Sequence, residues 1–393
     1  MTERIEAGLR RVPGIDLGQP LPDGDPRLLA RIRDEIRASG PMTFARFMEI
    51  ALYDSEAGYY GGERDDATGP GPGRGGDFLT APEGHPIFGW TIARRLEAAW
   101  NELDRPPRFV IREHGAGSGA LAVGILDGLR RSASPLLDVV RYQAIDVSPR
   151  ARDTFDAAID AANVAVLVEP ADDVPAPGAV LANELLDAMP VHRVEGLADG
   201  ALLERFVTVD VDGVLATELG RPSTPALAAR LAAEGISLAA GQPAEICLAV
   251  EGWVAGATVP LDRGLLLVID YGAEARDLYA AGRGSTLRAY HRHRVHDDPL
   301  VAIGRQDLTA HVDLTALERA ALAASLTPLR RTTQAQYLSE LGLGELLVGL
   351  QSGPASTLES YLEARSAVVR MLDPRATGGF AVREFGRGLA EIA

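Results

Sequence analysis

From Arg108 onward, short apolar runs closed by turn residues alternate with stretches of helical periodicity. Apolar runs of this length, with helix-length segments between them, are the mark of βαβ units on a parallel sheet. Strands are expected at RFVIRE, VVRYQAID, VAVLVE, GAVLANEL and LLERFVTVDV, with helices after the first two at Ala120–Arg131 and Pro149–Ala162. Pro222 to Ala257 is rich in alanine and is expected to be a mainly helical insertion before a last strong strand, GLLLVIDYG. Helices follow near Leu314–Ser325, Gln336–Leu350 and Ser356–Leu372. Upstream, residues 26–58 read as helical. PRLLARIRDEIRASG sets Leu28, Ile32 and Ile36 on one face and stops at Gly40, and a second helix starts from Thr43. The stretch GYYGGERDDATGPGPGRGGDF reads either as a disordered connection or as a lid that orders over a ligand. No internal repeat is visible.

Composition narrows the partners. With 46% hydrophobic and 24% charged residues over 393 positions, the chain is an ordinary globular one with room for one large domain or two. Its net charge of −16 repels phosphate backbones, so nucleic acid is a poor partner. The basic strip RAYHRHR, Arg288 to Arg294, reads as a solvated face or as a substrate-docking strip. Every one of the 39 basic residues counted as lysine or arginine is arginine, which fits codon bias. One cysteine, Cys247, excludes an internal disulfide and fits a reducing compartment. No run of about 18 apolar residues and no apolar leader occur, so a cytoplasmic location is expected.

The candidate chemistry begins at FVIREHGAGSGAL. A strand that ends in a glycine turn and opens into a helix points backbone N–H groups at a ligand. Gly115, Gly117 and Gly119 lack the third glycine of the dinucleotide fingerprint, because Ala120 and Leu121 stand there. Glu113, just before the turn, repels phosphate and attracts a cation. Asp146, at the end of the next strand, can accept from both hydroxyls of a ribose, or else can cap the following helix or close its turn. A cationic ligand with a ribose and no phosphate describes S-adenosylmethionine.

These motifs resemble the MidA/NDUFAF7 type of class I S-adenosylmethionine methyltransferase, a family associated with assembly of respiratory complex I. The resemblance is carried by GDFLTAPEGHPIFG, EHGAGSGAL, LANELLDAMPVHRVE, LLLVIDYG and GSTLRAYHRHRVHDDPLVAIGRQDLTAHVDLTAL, which span most of the chain. It implies an α/β, Rossmann-like class I methyltransferase sheet, with the donor held at Gly115, Gly117, Gly119 and Asp146. On this reading residues 1–105 form an N-terminal helical and lid region. Residues 106–393 form the Rossmann-like unit, with its insertion at about 222–257 and a substrate-facing segment at about 284–393. The resemblance also implies a protein arginine as acceptor, on a complex I subunit. Departures at Gly84-His85, at Trp90 and in the glycine-proline insert before Gly76 lie beside the expected substrate entrance.

Thr80, Pro82 and Glu83 are expected to fold over the donor, and Thr80 with Glu83 also spells a capping box. NELLDAMPV follows a buried strand. To methylate a guanidinium, an enzyme must hold the cation and aim one nitrogen, which a carboxylate does by forked hydrogen bonds. Glu184 is the first choice, with Asn183 beside it and Asp187 one turn further, although Asn183 and Glu184 could instead cap the loop. His85, His192, His291, His293 and His296 have no recognisable metal spacing, and transfer from a sulfonium needs no metal. A methyltransferase for a small molecule or peptide, and a non-catalytic assembly factor on the same fold, are the competing readings. A nicotinamide oxidoreductase is disfavoured by Glu113 and the missing glycine.

Overall fold

A computed structural model of the chain describes residues 21–62, 80–292, 294–352 and 357–389. Its centre is a six-stranded sheet. The strands are Phe109–His114 (β1), Val140–Ile145 (β2), Ala176–Asn183 (β3), Leu261–Asp270 (β4), Thr327–Thr333 (β5) and Ala381–Arg387 (β6). β1 lies between β2 and β3, and β3 pairs with β4, all parallel. β6 runs antiparallel to β4, and β5 antiparallel to β6 at the edge. Near-continuous burial along β1 and β4 reflects cover on both faces.

Five helices matter to the site: Pro26–Ser39 (α1), Phe44–Tyr53 (α2), Ile87–Glu102 (α3), Ala120–Arg131 (α4) and Pro149–Ala161 (α5). α3, α4 and α5 cover one sheet face, packing Phe88, Ile125 and Phe155 among Phe109, Ile111 and Leu181. Helices Val250–Ala257 and Leu314–Ala323 cover the other, against Val180, Leu266 and Val268. α3 thus belongs to the sheet's own core, although it precedes residue 105. The apolar stripes of α1 and α2 pack instead on a second, antiparallel sheet, with Ile32, Phe44 and Phe47 beside Val207.

Several expected elements differ. LLERFVTVDV is a strand, Leu202–Val209, but it lies in the second sheet, between His192–Gly196 and Leu215–Gly220 and against Met42–Thr43. Its mixed apolar and polar order is that of a strand covered on one face only. VAVLVE does not become a strand. Ala165–Leu167 forms a 3-10 turn, Val166 is 85% exposed, and a single bridge joins Val168 to Tyr142 of the edge strand β2. The insertion includes an edge strand, Pro243–Ile246, between helices Ala226–Ala233 and Val250–Ala257. The helix expected over Gln336–Leu350 is split into Gln334–Glu340 and Leu343–Ser352 at Gly342, where φ is +81°. The next helix runs Leu358–Leu372 behind Thr357, and Ser356 lies outside the described residues. β5 and β6 were not expected at all.

This topology fixes where a ligand can sit. The chain leaves β1 through α4 to β2, then returns across β1 to β3, so the strand order reverses between β1 and β3. Such a reversal opens a crevice at the carboxyl ends of those strands.

Candidate active site

The glycine turn is the first wall of this crevice. Gly115, Gly117 and Gly119 have φ of +73°, +52° and +75°, a region that costs a side chain strain. At Gly115 a Cβ would stand 2.9 Å from Leu185 Cδ1, so the turn after β1 rests on the turn after β3. Above Gly117 no atom would lie closer than 3.9 Å, which leaves that peptide face open.

Asp146 closes the next side. Its Oδ2 accepts from Gly117 N–H at 3.0 Å and its Oδ1 from Ser148 N–H at 2.9 Å. The helix cap is Ser148, whose hydroxyl accepts from Ala151 N–H at 3.2 Å. Asp146 therefore holds the glycine turn and its own turn rather than capping α5. It is only half-buried, and each carboxylate oxygen keeps a lone pair for a further donor. An open peptide face beside such a carboxylate fits a ribose-bearing ligand without phosphate.

Glu113 is placed differently from the ligand-facing position expected. The pleat of β1 sets it on the same side as Phe109 and Ile111, 3% exposed, where it accepts from the Tyr142 hydroxyl at 2.7 Å. Burial pushes its carboxyl up to about 8, against the Tyr142 bond and with a smaller push from Asp146. At neutral pH it supports the turn from beneath as a largely neutral group.

The TAPE turn bridges the two walls. Glu83 Oε2 accepts from Thr80 N–H at 3.2 Å and from Thr80 Oγ1 at 3.0 Å, and its Oε1 accepts from the Ser118 hydroxyl at 3.1 Å. Ala81 and Pro82 are buried, and Ala81 N–H donates to Glu184 Oε1 at 3.4 Å. The structure brings Thr80, Pro82 and Glu83 between the glycine turn and Glu184. The loop expected as a disordered connection or a lid runs from residue 58 to 78; residues 58–62 are described, with Tyr59 packed in the core at 1% exposure, while residues 63–79 lie outside the described residues, as does His293.

Glu184 has φ of +51°, a strained value for a side-chain-bearing residue and typical of sites that aim a group. Its Oε1 also accepts from Asn183 Nδ2 at 3.3 Å. Burial pushes Glu184 up to about 8, and the charge of Asp187 adds to this. Asp187 is lifted to about 6 by burial, opposed by the Tyr271 hydroxyl.

One residue of this wall was missed in the sequence. Asp270, the last residue of β4 and 1% exposed, accepts through Oδ2 from the N–H groups of Leu185, Leu186 and Asp187 at 3.2, 2.8 and 3.3 Å. Its Oδ1 accepts from Tyr271 N–H at 2.8 Å. It is the peg on which the whole turn after β3 hangs. The signal was available: an acid ends LLLVID as Asp146 ends RYQAID. Burial raises Asp270 well above the ordinary carboxylate range, with Asp187 as the next cause. Asp187 and Asp270 are buried and Glu184 beside them is half-buried, so the three cannot all carry charge at once.

Other expected features fall elsewhere. His85 accepts from Ile87 N–H at 3.1 Å and stands edge-on to Trp90, whose indole donates to Asp127 at 2.8 Å across α3 and α4. These two departures from the family pattern are helix-packing contacts. His192 pairs with Glu204 at 2.7 Å, and His291 with the Arg305 carbonyl at 2.6 Å. Among the described residues no group of three His, Cys, Asp or Glu is arranged to hold a metal.

The chain is similar to known proteins over most of its length. The family described as "Putative S-adenosyl-L-methionine-dependent methyltransferase" matches residues 91–332. The mitochondrial protein arginine methyltransferase NDUFAF7 homolog of Drosophila melanogaster is 29% identical over 317 residues, 74% of this chain and 69% of that one. The mitochondrial protein arginine methyltransferase NDUFAF7 of Homo sapiens is 27% identical over 347 residues, 80% of this chain and 73% of that one. A solved protein from Burkholderia thailandensis, bound to S-adenosyl-homocysteine, superposes with a TM-score of 0.82 at 32% identity, covering 94% of this chain and 96% of that one. The family match spans more than half of the chain and the Burkholderia fold nearly all of it; the chain belongs to this S-adenosyl-L-methionine-dependent methyltransferase family and is an enzyme that takes S-adenosyl-L-methionine as its methyl donor.

Proposed function

We propose that the enzyme methylates an arginine side chain of a protein. The observation that carries this reading is Glu184, strained and half-buried, held by Ala81 and Asn183 at the crevice between the glycine turn and Asp187. The names of the Drosophila and human relatives point to the same acceptor.

In this reading the donor's ribose lies on Asp146 and its amino-acid part along Gly115 to Gly119, with Thr80, Pro82 and Glu83 closing over it and Glu113 bracing the turn. When bound, the donor supplies a methyl group on a sulfonium sulfur. The carbon–sulfur bond breaks as a bond to a guanidinium nitrogen forms, leaving S-adenosyl-homocysteine. The nitrogen's extra proton passes to the Glu184 carboxylate and on to solvent. Glu184 therefore aims the nitrogen and takes its proton, while Asn183 orients Glu184. Acceptor basicity is no obstacle, because the proton becomes acidic once transfer is under way.

A respiratory complex I subunit is the proposed acceptor and the cytoplasm the proposed compartment. The latter is supported by the single cysteine, and among the described residues no helix is long and apolar enough to cross a membrane. The test is incubation of the purified full chain with isotopically labelled donor and the organism's own complex I subunits, followed by mass analysis. Label on arginine is expected. Label confined to small molecules or peptides, with every arginine unmodified, would overturn the assignment.

A further inference from the structure

Asp187 is 7% exposed, yet its Oδ1 has no hydrogen-bond partner. A buried carboxylate oxygen left alone is costly, and in a crevice it is a place that a ligand's donor would complete. Its surroundings describe that ligand. Tyr271 follows Asp270, whose carboxylate accepts from both the Tyr271 and the Asp187 N–H groups at 2.8 and 3.3 Å. The Tyr53 hydroxyl donates to the Ala188 carbonyl at 2.9 Å, one residue on. Tyr53 and Tyr60 stack with ring centres 5.7 Å apart and planes 19° from parallel. The Tyr60 hydroxyl donates to Asp307 Oδ1 at 2.9 Å, and Tyr290 faces Asp307 in the neighbouring strand. That strand is tied back to the site where Ala310 N–H donates to the Asp187 carbonyl at 2.9 Å. All four rings are half-buried and so keep some surface toward solvent.

A buried acid among aromatic rings suits a flat, delocalised cation. A guanidinium lies on an aromatic face and forks to a carboxylate, whereas a compact, strongly hydrated ammonium gains less from such a wall. We propose that Asp187, with Tyr53, Tyr60, Tyr271 and Tyr290, forms the guanidinium pocket of the acceptor site, one wall of which is supplied by the N-terminal helical segment. Asp187 holds the nitrogens turned away from the donor, and Glu184 takes the nitrogen that receives the methyl group. Tyr53 donates to the Ala188 carbonyl, and Tyr60, stacked on it, accepts through its carbonyl from Ser148 beside Asp146, so the pair stands between the turns after β2 and β3. This inference rests on the arginine reading for its choice of cation, and its test is separate.

The full chain, saturated with S-adenosyl-homocysteine, is titrated with N-acetyl-arginine amide and with its neutral citrulline counterpart. The wild type is expected to bind the arginine probe at least about tenfold more tightly. Asp187→Asn should remove most of this preference. Tyr53→Leu should weaken the arginine probe roughly five- to thirtyfold, while Tyr53→Phe, which keeps the ring and loses only the bond to Ala188, keeps the preference. S-adenosyl-homocysteine affinity in each variant reports an intact donor site, and Tyr290→Leu serves if Tyr53→Leu does not fold. Failure of the wild type to bind the arginine probe, equal affinity for the two probes, or a Phe variant as impaired as the Leu variant would each overturn the pocket. If the pocket holds guanidinium while no protein arginine is methylated, the functional reading fails and the pocket stands. Arginine methylation with binding unchanged in the folded variants is the reverse case.

Discussion

At the scale of single residues the site is a set of carboxyls in unequal surroundings. Asp146 is half-buried and bonded only to backbone N–H groups, so Asp146→Ala removes both the expected ribose acceptor and the peg of Gly117. Titration should find S-adenosyl-homocysteine affinity weakened by about 1–3 kcal/mol, and thermal melting should find a loss of about 1 kcal/mol of stability. Unchanged affinity in a folded variant would remove Asp146 from the donor site. Glu184 behaves differently, because burial has pushed it from 4.5 to about 8. Below that value it is mostly protonated and cannot pair with a cation, so the transfer rate should rise with pH toward about 8 and then level. Glu184→Gln should lower the rate on the order of a hundredfold or more and abolish the rising limb. A pH–rate series on both proteins checks this, and a surviving limb would assign the titration to another group. The same shift has a stability consequence of definite sign. Between about 4.5 and 8 the native state binds more protons than the unfolded chain, so the ligand-free enzyme loses stability as pH rises through that window. Glu113, also raised to about 8, acts in the same direction. The acids at the crevice were legible as residue types, since each follows an apolar run. Their orientation was not: pleat direction sent Glu113 inward, and Asp270 became visible as a support only when the turn after β3 closed around it.

At the scale of elements, the position of the glycine turn depends on how closely α3 and α4 approach. A Cβ on Gly89 would stand 2.6 Å from the Gly124 backbone, and one on Gly128 would stand 2.7 Å from Trp90 Cα. Because the opposing atoms are backbone, they cannot turn aside, and Gly89→Ala must separate the helices. It should cost about 1–3 kcal/mol and also weaken donor binding, since α4 begins at the donor turn. Gly252→Ala is the contrast, because Gly252 lies in helix Val250–Ala257 with nothing within 4 Å of its would-be Cβ. There the helical preference of alanine should stabilise by roughly 0.5–1 kcal/mol. Melting curves of the two variants should move in opposite directions, and similar shifts would refute the close-packing account. Helices with a clear stripe, such as Pro26–Ser39 and Ala120–Arg131, were readable from spacing alone. VAVLVE misled because an apolar run does not reveal whether a partner strand stands beside it, and β2 offered only an edge. β5 and β6 escaped because each carries arginines, whose aliphatic stems and paired heads are tolerated in a sheet that a pattern of apolar residues cannot register.

At the scale of the whole molecule, the crevice is assembled from parts that sequence order keeps far apart. The N-terminal segment reaches both strand-end turns, through Tyr53 to the Ala188 carbonyl and through the Tyr60 carbonyl, which accepts from the Ser148 hydroxyl at 2.6 Å. No periodicity announces such contacts, because they join surfaces whose pairing is set only once the sheet and helices exist. The glycine turn and the family motifs pointed to the crevice between β1 and β3, whereas the contacts of Tyr53 and Tyr60 emerge from tertiary packing. The net charge of −16 then bears on how an acceptor arrives. An arginine-bearing protein segment is drawn toward an acidic surface from beyond contact distance, and salt shortens that reach, from about 10 Å at 0.1 M to about 3 Å at 1 M. S-adenosyl-homocysteine carries no net charge at neutral pH and, on the proposed reading, is held by local hydrogen bonds at Asp146 and the glycine turn, so its affinity should barely respond. Raising ionic strength from about 50 to 300 mM should therefore raise KM for a basic protein acceptor several-fold, mainly by slowing association, while kcat and product affinity stay nearly constant. Steady-state kinetics across a salt series, paired with calorimetry of S-adenosyl-homocysteine, separates the two effects. A KM insensitive to salt would mean that the acceptor is neutral, or that it is recognised wholly within the tyrosine-lined crevice.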